Sequence, residues 1–167
     1  MKTNCRNCGA VLVLEQFADS LICEYCSTLH IPSLREEGEI KIIDSPVGSM
    51  RCPVCITSLS NAAIDEWQFQ YCAGCHGILL EGEDLLNIIV YMRRDSSEPY
   101  RDPEPINAAE LQRTLNCPDC GGKMAAHPYY GPGDFVIDSC SGCGGVWLDC
   151  GKLNRAATVK WGGFLWK

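Results

Sequence analysis

The sequence predicts a small, β-rich α+β fold that is stabilised by bound metal. Three features predict this class: the spacing of the cysteines, the alternation of apolar residues ahead of two cysteine pairs, and the shortness of each repeated segment. The chain has 167 residues and 13 cysteines, far more cysteine than an ordinary globular domain contains. Twelve of those cysteines form six pairs with the spacing Cys-x-x-Cys.

The six pairs form three repeats. Within successive repeats the two pairs are 14, 16 and 19 residues apart, whereas 25 and 41 residues separate one repeat from the next. This spacing is typical of zinc sites, because two tight turns can place four sulfurs around one ion. We predict three structural Zn²⁺ sites, and iron, which also accepts a sulfur tetrahedron, is the alternative metal. The predicted ligands are Cys5, Cys8, Cys23 and Cys26 in the first repeat, Cys52, Cys55, Cys72 and Cys75 in the second, and Cys117, Cys120, Cys140 and Cys143 in the third.

Alternating apolar residues predict a small antiparallel β unit in each repeat. The stretch "DEWQFQYC" places Trp67, Phe69 and Tyr71 on one face of a strand that leads into Cys72. "GDFVIDSC" repeats this pattern before Cys140. A segment of about 25–40 residues cannot bury a sufficient core alone, whereas structural zinc contributes about 10–16 kcal/mol of folding energy per site. We therefore predict three tandem zinc ribbons.

The second and third repeats share a motif that begins at their last cysteine pair. "CAGCHGILLEGEDL" of residues 72–85 aligns without gaps with "CSGCGGVWLDCGKL" of residues 140–153. The third repeat, "CPDCGGKM…DSCSGCGGVWLDCGKL", resembles the transcription factor IIB-type zinc-ribbon family of bacterial proteins. The second repeat resembles it too, with Leu79 in place of the tryptophan and Glu81 in place of the aspartate. The first repeat resembles only generic ribbons. The resemblance implies a ribbon fold shared with that transcription factor.

A short helix is predicted after the second and the third ribbon, since apolar residues recur there at helical spacing. An acidic residue, Glu81 or Asp149, precedes each helix and is expected to cap its first N–H groups. We expect Trp147 to pack the helix of the third repeat onto its ribbon; the alternative is an exposed tryptophan that docks onto a partner. The spaced apolar residues are Leu85, Ile88, Ile89 and Met92 in the second repeat and Leu153, Ala156 and Ala157 in the third.

These patterns divide the chain into six segments. Linker 95–116 starts with a proline- and charge-rich stretch, and a short helix is expected in it from Asn107 to about Leu115. Whether the ribbons move on their linkers or dock through their helices is left open. The segments are ribbon 1 (1–32), a linker (33–51), ribbon 2 with its helix (52–94), a linker (95–116), ribbon 3 with its helix (117–158) and an aromatic, basic tail (159–167).

The charge and the apolar runs narrow the functional class. The formal net charge is −7, and three zinc–tetrathiolate sites would lower it to about −13. Residues 52–85 contain five acidic residues and no lysine or arginine, which disfavours binding to a phosphate backbone although the basic tail leaves such binding open.

The first cysteine pair precedes any apolar run, and the longest such run is far too short to span a bilayer. We expect a cytoplasmic protein without membrane attachment.

The function predicted from these features is a non-enzymatic adaptor that binds another protein. A site with four cysteine ligands leaves no coordination position for a substrate, and no other catalytic motif occurs. Trp161, Phe164 and Trp166 in the tail are candidate docking residues, and packing of the tail back onto ribbon 3 is the alternative. Binding to nucleic acid or to the transcription machinery, and zinc/thiol redox sensing, stay open as alternatives. Cys150 aligns with Gly82 and is expected to have no role; a redox role or a role as an alternative metal ligand is the other interpretation. The partner and the oligomeric state are not predicted.

Overall fold

The structure is a computed structural model that describes residues 2–4, 11–13, 21–22, 29–30, 40–43, 50–94, 102, 105–106, 108–130 and 135–160. The chain divides into two compact units, Met1–Arg35 and Glu36–Lys167. In the first unit two pairs of short strands are antiparallel: β1 (Lys2–Asn4) with β2 (Val11–Val13), and β3 (Leu21–Ile22) with β4 (Leu29–His30). The four cysteines of the predicted first zinc site lie outside the described residues.

Within the described part of the second unit, eight antiparallel strands form one sheet. The strand order is β5-β6-β7-β8-β12-β11-β10-β9. Ribbon 2 contributes β6 to β8 and ribbon 3 contributes β10 to β12, while the outer strands β5 and β9 come from the segments predicted as linkers, 33–51 and 95–116. In β7 the predicted alternation is present, since Phe69 and Tyr71 are buried and Gln68 is exposed. The strands are β5 (Lys41–Ile42), β6 (Ser60–Ile64), β7 (Trp67–Tyr71), β8 (Ile78–Glu81), β9 (Thr114–Asn116), β10 (Lys123–Pro128), β11 (Val136–Cys140) and β12 (Gly145–Leu148).

Strands β8 and β12 join ribbon 2 to ribbon 3. Leu79 lies opposite Trp147, and Ile78 lies opposite Leu148. The gap-free alignment of the two repeats makes Leu79 and Trp147 equivalent positions, so an approximate two-fold axis passes through this pair. The same patch of each ribbon thus contacts its own counterpart, as in a symmetric dimer interface. This seam answers the question that the sequence left open, because ribbons 2 and 3 form one sheet.

Two helices, α1 (Gly82–Arg94) and α2 (Lys152–Thr158), pack together in the second unit. The seven apolar residues that the helical spacing predicts are all buried, and Lys152 at the start of α2 is buried with them. Arg93 of α1 donates from Nη1 to the carbonyl oxygens of Ala156 and Val159 at 2.8 and 2.9 Å. A cation is thereby placed at the negative end of α2. No helix in the described residues is long and apolar enough to span a membrane.

The two faces of the sheet carry different buried clusters. One cluster contains the helices together with Val146 and Leu148 of β12. Trp147 is completely buried, but it belongs to the other cluster, among four cysteines. The expectation that Trp147 packs α2 onto the ribbon was therefore wrong about its partner. Successive side chains of a strand point to opposite faces, and Val146 and Leu148 occupy the face that meets the helices.

The linker before ribbon 3 differs from the predicted helix. A single 3₁₀ turn spans Glu110–Gln112, and the chain then extends at Arg113 with a ψ of 154°. Thr114–Asn116 forms β9, in which Leu115 lies opposite Met124 of β10. Sheet hydrogen bonds to β10 thus replace the helical ones, and the helix expected to reach Leu115 does not form. Asn107, its expected first residue, lies outside the described residues.

Candidate metal centres

The four Cys-x-x-Cys turns that the structure describes share one backbone arrangement. In each, the residue after the second cysteine donates its N–H to the carbonyl of the first cysteine, at 2.8 to 3.0 Å. That residue has a positive φ in every case, from 59° to 76°. Gly121 and Gly144 adopt this conformation freely, whereas Ile56 and His76 adopt it with strain. The turn geometry is therefore uniform even where the sequence does not supply glycine.

These turns bring four sulfurs together in each ribbon. Within each quartet all four sulfur atoms lie within 4.8 Å of one another. The closest pairs are 3.4 Å apart in ribbon 2, and 3.4 and 3.5 Å apart in ribbon 3. A tetrahedral ion with Zn–S bonds of about 2.3 Å requires sulfurs about 3.8 Å apart, whereas a disulfide requires about 2.05 Å. The eight cysteines are unbridged, and their arrangement fits a tetrahedral metal ion.

The electrostatics of the ribbon 2 quartet also favour a cation. Without one, the hydrogen bond with Cys72 raises the pKa of Cys52 to about 12. The hydrogen bonds with Cys52 and Cys75 lower the pKa of Cys72. The four thiols therefore compete for ionisation, because thiolates this close repel one another. A divalent cation removes the competition by stabilising all four charges, and the N–H groups of Val54 and Cys55, 3.4 Å from the Cys52 Sγ, add support.

Each quartet is closed on the inner side and reaches solvent on the outer side. In ribbon 3, Cys117 and Cys140 are buried while Cys120 and Cys143 are exposed. Four sulfur ligands complete a tetrahedron and leave no position for water or substrate, which is the arrangement of structural zinc. When bound, zinc would supply cross-links between the two turns of each ribbon. A zinc ion held by these ligands would therefore stabilise the fold.

Cys150 and the histidines His76 and His127 are not members of either quartet. Cys150 follows β12, is partly exposed and belongs to neither quartet. His76 shares a hydrogen bond with the Tyr71 hydroxyl, and His127 bonds to the Ser139 hydroxyl at 2.8 Å. Trp161, Phe164 and Trp166 lie outside the described residues, so their docking role stays a prediction.

A charged network beside ribbon 3 was not predicted. Asp138 in β11 is completely buried, and both its oxygens accept hydrogen bonds from Arg113 of the linker. Arg113 also pairs with Asp149 at 2.8 Å, and Lys152 pairs with Asp149 at 2.7 Å. Burial lowers the pKa of Arg113, but the hydrogen bonds with Asp138 and Asp149 outweigh burial and raise it overall. The one sequence signal was Asp138 itself, an acidic residue inside the apolar stretch "FVIDSC", since a buried charge needs a partner.

Asp149 belongs to this network and does not cap α2. The helix starts after Gly151 without a side-chain cap. Asp149 accepts a hydrogen bond from Trp147 Nε1 at 3.3 Å and pairs with Arg113 and Lys152. Burial raises the pKa of Asp149, but these two cations outweigh burial and hold it below its ordinary value. The expected cap was therefore wrong, because the ion pairs draw the carboxylate towards the linker.

Comparison with known families gives two matches along the chain. Residues 51–90 and 116–158 both match the family model described as transcription factor zinc-finger. Each match covers one cysteine quartet, its hairpin and most or all of the following helix. Comparisons with curated proteins and with solved structures gave no match. The family signal thus coincides with the two quartets whose geometry fits a metal ion.

Proposed function

Because the chain carries two transcription factor IIB-type zinc ribbons, we propose that it is a zinc-binding, non-enzymatic adaptor that binds another protein. The observation that carries the proposal is a difference between the two ribbons at their first cysteine turn. In ribbon 2 this turn carries two large apolar residues, Val54 and Ile56, which are 49% and 60% exposed to solvent. At the aligned positions ribbon 3 has Asp119 and Gly121. Neighbouring exposed apolar side chains are typical of protein-binding surfaces.

The edge of the sheet beside ribbon 2 supports the same proposal. Ile42 and Ile43 are 56% and 49% exposed, and β5 is the last strand of the described sheet on this side. An edge strand offers backbone groups with which an extended segment of another protein can pair. The closed quartets hold these features on a rigid sheet, as an adaptor requires.

The charge of ribbon 2 favours a protein partner over a nucleic acid. Asp65, Glu66, Glu81 and Glu83 are all exposed, and residues 52–85 contain no lysine or arginine. This surface repels phosphate groups. A partner segment that combines apolar and basic residues would complement both the exposed apolar side chains and the acidic charge of ribbon 2.

The test is affinity purification of the full chain from its host, followed by mass spectrometry. The matched variant is Val54→Asp with Ile56→Gly, because ribbon 3 already folds with these residues at the same turn. We expect the wild-type chain to retain one protein in a fixed ratio and the variant to lose it, with the zinc content of both unchanged. As a control, Leu111→Asp changes an exposed apolar residue on the ribbon 3 side and should retain the partner. Failure to recover any protein in fixed ratio, or equal recovery by the variant, would contradict the proposal.

A second candidate function is binding to nucleic acid or to the transcription machinery, and the family match supports it. Direct phosphate contact would make affinity fall steeply with salt, since each neutralised phosphate releases counterions. A salt titration with labelled DNA and RNA separates this candidate from the adaptor. The adaptor proposal expects weak binding that is not specific to sequence.

A further inference from the structure

We propose that zinc binding at ribbons 2 and 3 is coupled, because each ribbon provides the side chain that packs against a cysteine turn of the other. The proposal rests on zinc occupancy of the two quartets and does not depend on a docking partner. Its structural basis is the seam between β8 and β12, where the equivalent residues Leu79 and Trp147 lie opposite each other.

The first half of the exchange places Trp147 of ribbon 3 on a turn of ribbon 2. A Cβ atom added to Gly77 would lie 2.1 Å from Cζ2 of Trp147 and 2.8 Å from its Cη2. The indole therefore fills the space directly beside the Gly77 backbone. Gly77 closes the second cysteine turn of ribbon 2, because its carbonyl accepts the N–H of Cys72 at 2.9 Å. Any residue other than glycine at position 77 would displace the indole.

The second half places Leu79 of ribbon 2 beside the quartet of ribbon 3. The Cβ position of Gly145 lies 3.5 Å from Cδ1 of Leu79, 3.4 Å from Sγ of Cys143 and 3.9 Å from Sγ of Cys117. A backbone hydrogen bond adds to this contact, since the N–H of Gly82 donates to the carbonyl of Gly144 at 3.1 Å. Gly144 directly follows the ligand Cys143. Ribbon 2 thus holds the second cysteine turn of ribbon 3 from outside.

One buried cluster connects the two quartets. It contains two cysteines from each ribbon together with the central pair of the seam. Close packing means that a group which leaves such a cluster exposes a cavity that its neighbours fill only partly. Release of zinc from one quartet frees its turns and removes the surface on which the other ribbon packs. The fully buried or nearly buried members are Cys52, Leu59, Cys72, Leu79, Cys117, Met124, Cys140 and Trp147.

The direct experiment follows zinc release from the full wild-type chain. A chelator is added together with an alkylating reagent, and peptide mass spectrometry gives the rate at which each cysteine becomes reactive. Coupling predicts one common rate for the eight cysteines of ribbons 2 and 3. The cysteines of the first repeat, which belong to a separate compact unit, serve as an internal reference. Rates for the two quartets that differ by about tenfold or more, equivalent to 1.4 kcal/mol or more, would overturn the proposal.

A variant tests the crossed contact. Trp147→Leu installs in ribbon 3 the residue that ribbon 2 has at the equivalent position. We expect alkylation of the ribbon 2 quartet to accelerate by about tenfold or more, although the substitution lies in ribbon 3. Acceleration confined to the ribbon 3 quartet would contradict the crossed contact. If Trp147→Leu does not fold, the wild-type alkylation rates and a pair of alanine variants decide. Gly77→Ala places a Cβ against the indole, whereas Gly142→Ala does not. Equal alkylation rates in these two variants would overturn the proposal.

Discussion

In ribbon 2, Gln70 donates from its amide to Asn61 at 2.6 Å, whereas the equivalent residue of ribbon 3, Asp138, is a buried carboxylate bound by Arg113. Both residues lie two positions before a cysteine of the quartet, on the equivalent strands β7 and β11. The same strand position therefore carries a neutral hydrogen bond in ribbon 2 and an ionic network in ribbon 3. The difference comes from the linker, because Arg113 lies in the segment that leads into ribbon 3. The ionic network attaches that segment to its ribbon, while the cysteine frame is common to both.

The cysteine turns differ in the same way. Ribbon 3 uses Gly121 and Gly144 at positive φ, while ribbon 2 uses Ile56 and His76. A residue with a Cβ costs about 1–2 kcal/mol in this conformation. Such strain persists only where the surroundings hold the backbone. Here each strained residue directly follows a cysteine of the quartet, Cys55 or Cys75, and donates its N–H to the first cysteine of the turn. The comparison indicates that ribbon 2 depends more on its metal than ribbon 3 does.

The largest effect is expected from the loss of a ligand. Cys117→Ser removes one of four sulfurs and should abolish zinc binding at ribbon 3, at a cost on the order of 10 kcal/mol. Since the ribbons share one sheet, ribbon 2 should lose structure as well. Zinc content and circular dichroism measure both effects. Cys150→Ser is the matched control, because Cys150 lies outside the quartet; it should change stability by about 0.5 kcal/mol or less. A Cys117→Ser chain that kept its ribbon 3 zinc would refute the assignment of the ligands.

The next largest effect should come from the ionic network that only ribbon 3 has. Arg113→Met leaves the carboxylate of Asp138 buried and unpaired, which costs about 3–5 kcal/mol. Adding Asp138→Leu should recover most of that loss, because the uncompensated charge is then gone. Denaturant unfolding in the presence of zinc measures both variants. Lys160→Met removes an exposed pair with Asp102 and should cost about 0–1 kcal/mol. A cost for Arg113→Met as small as that of Lys160→Met would remove the proposed difference between the ribbons.

A smaller effect should follow from separating the two helices. Arg93→Met removes the two hydrogen bonds from α1 to the end of α2, and hydrogen bonds to a charged group contribute about 1.5–3 kcal/mol. The adjacent Arg94 is exposed, so Arg94→Met should leave the denaturation midpoint almost unchanged. Equal midpoints for the two variants would show that the helix contact adds nothing to the seam.

The smallest effect concerns the strained turn of ribbon 2. Ile56→Gly should stabilise the zinc-loaded chain by about 1 kcal/mol, because glycine adopts a positive φ without steric cost. Gly121→Ile places the same strain in ribbon 3 and should destabilise by about 1–2 kcal/mol. Thermal unfolding at constant free zinc measures both changes. The account of the strain would fail if Ile56→Gly lowered the midpoint.

The features that the sequence predicted are those that local pattern determines. The cysteine spacing identified the two quartets that the structure brings together, and the apolar spacing identified the buried apolar residues of both helices. The seam could not be read locally, because β8 and β12 belong to different repeats and pair only in the folded chain. Trp147 shows the same limit, since part of its surroundings, including Gly77 and Leu79, comes from ribbon 2. Arg113 was missed because nothing next to it in the sequence indicates its partner Asp138.

The central claim, that ribbons 2 and 3 form one sheet through β8 and β12, is tested most directly by amide hydrogen exchange on the zinc-loaded full chain. Backbone amides at the seam should exchange as slowly as those of β7 and β11, since paired amides inside a sheet open only when the unit unfolds. Exchange along β8 and β12 at the rate of exposed edge strands, with β7 and β11 still protected, would contradict the claim and show that the two ribbons fold side by side without joining.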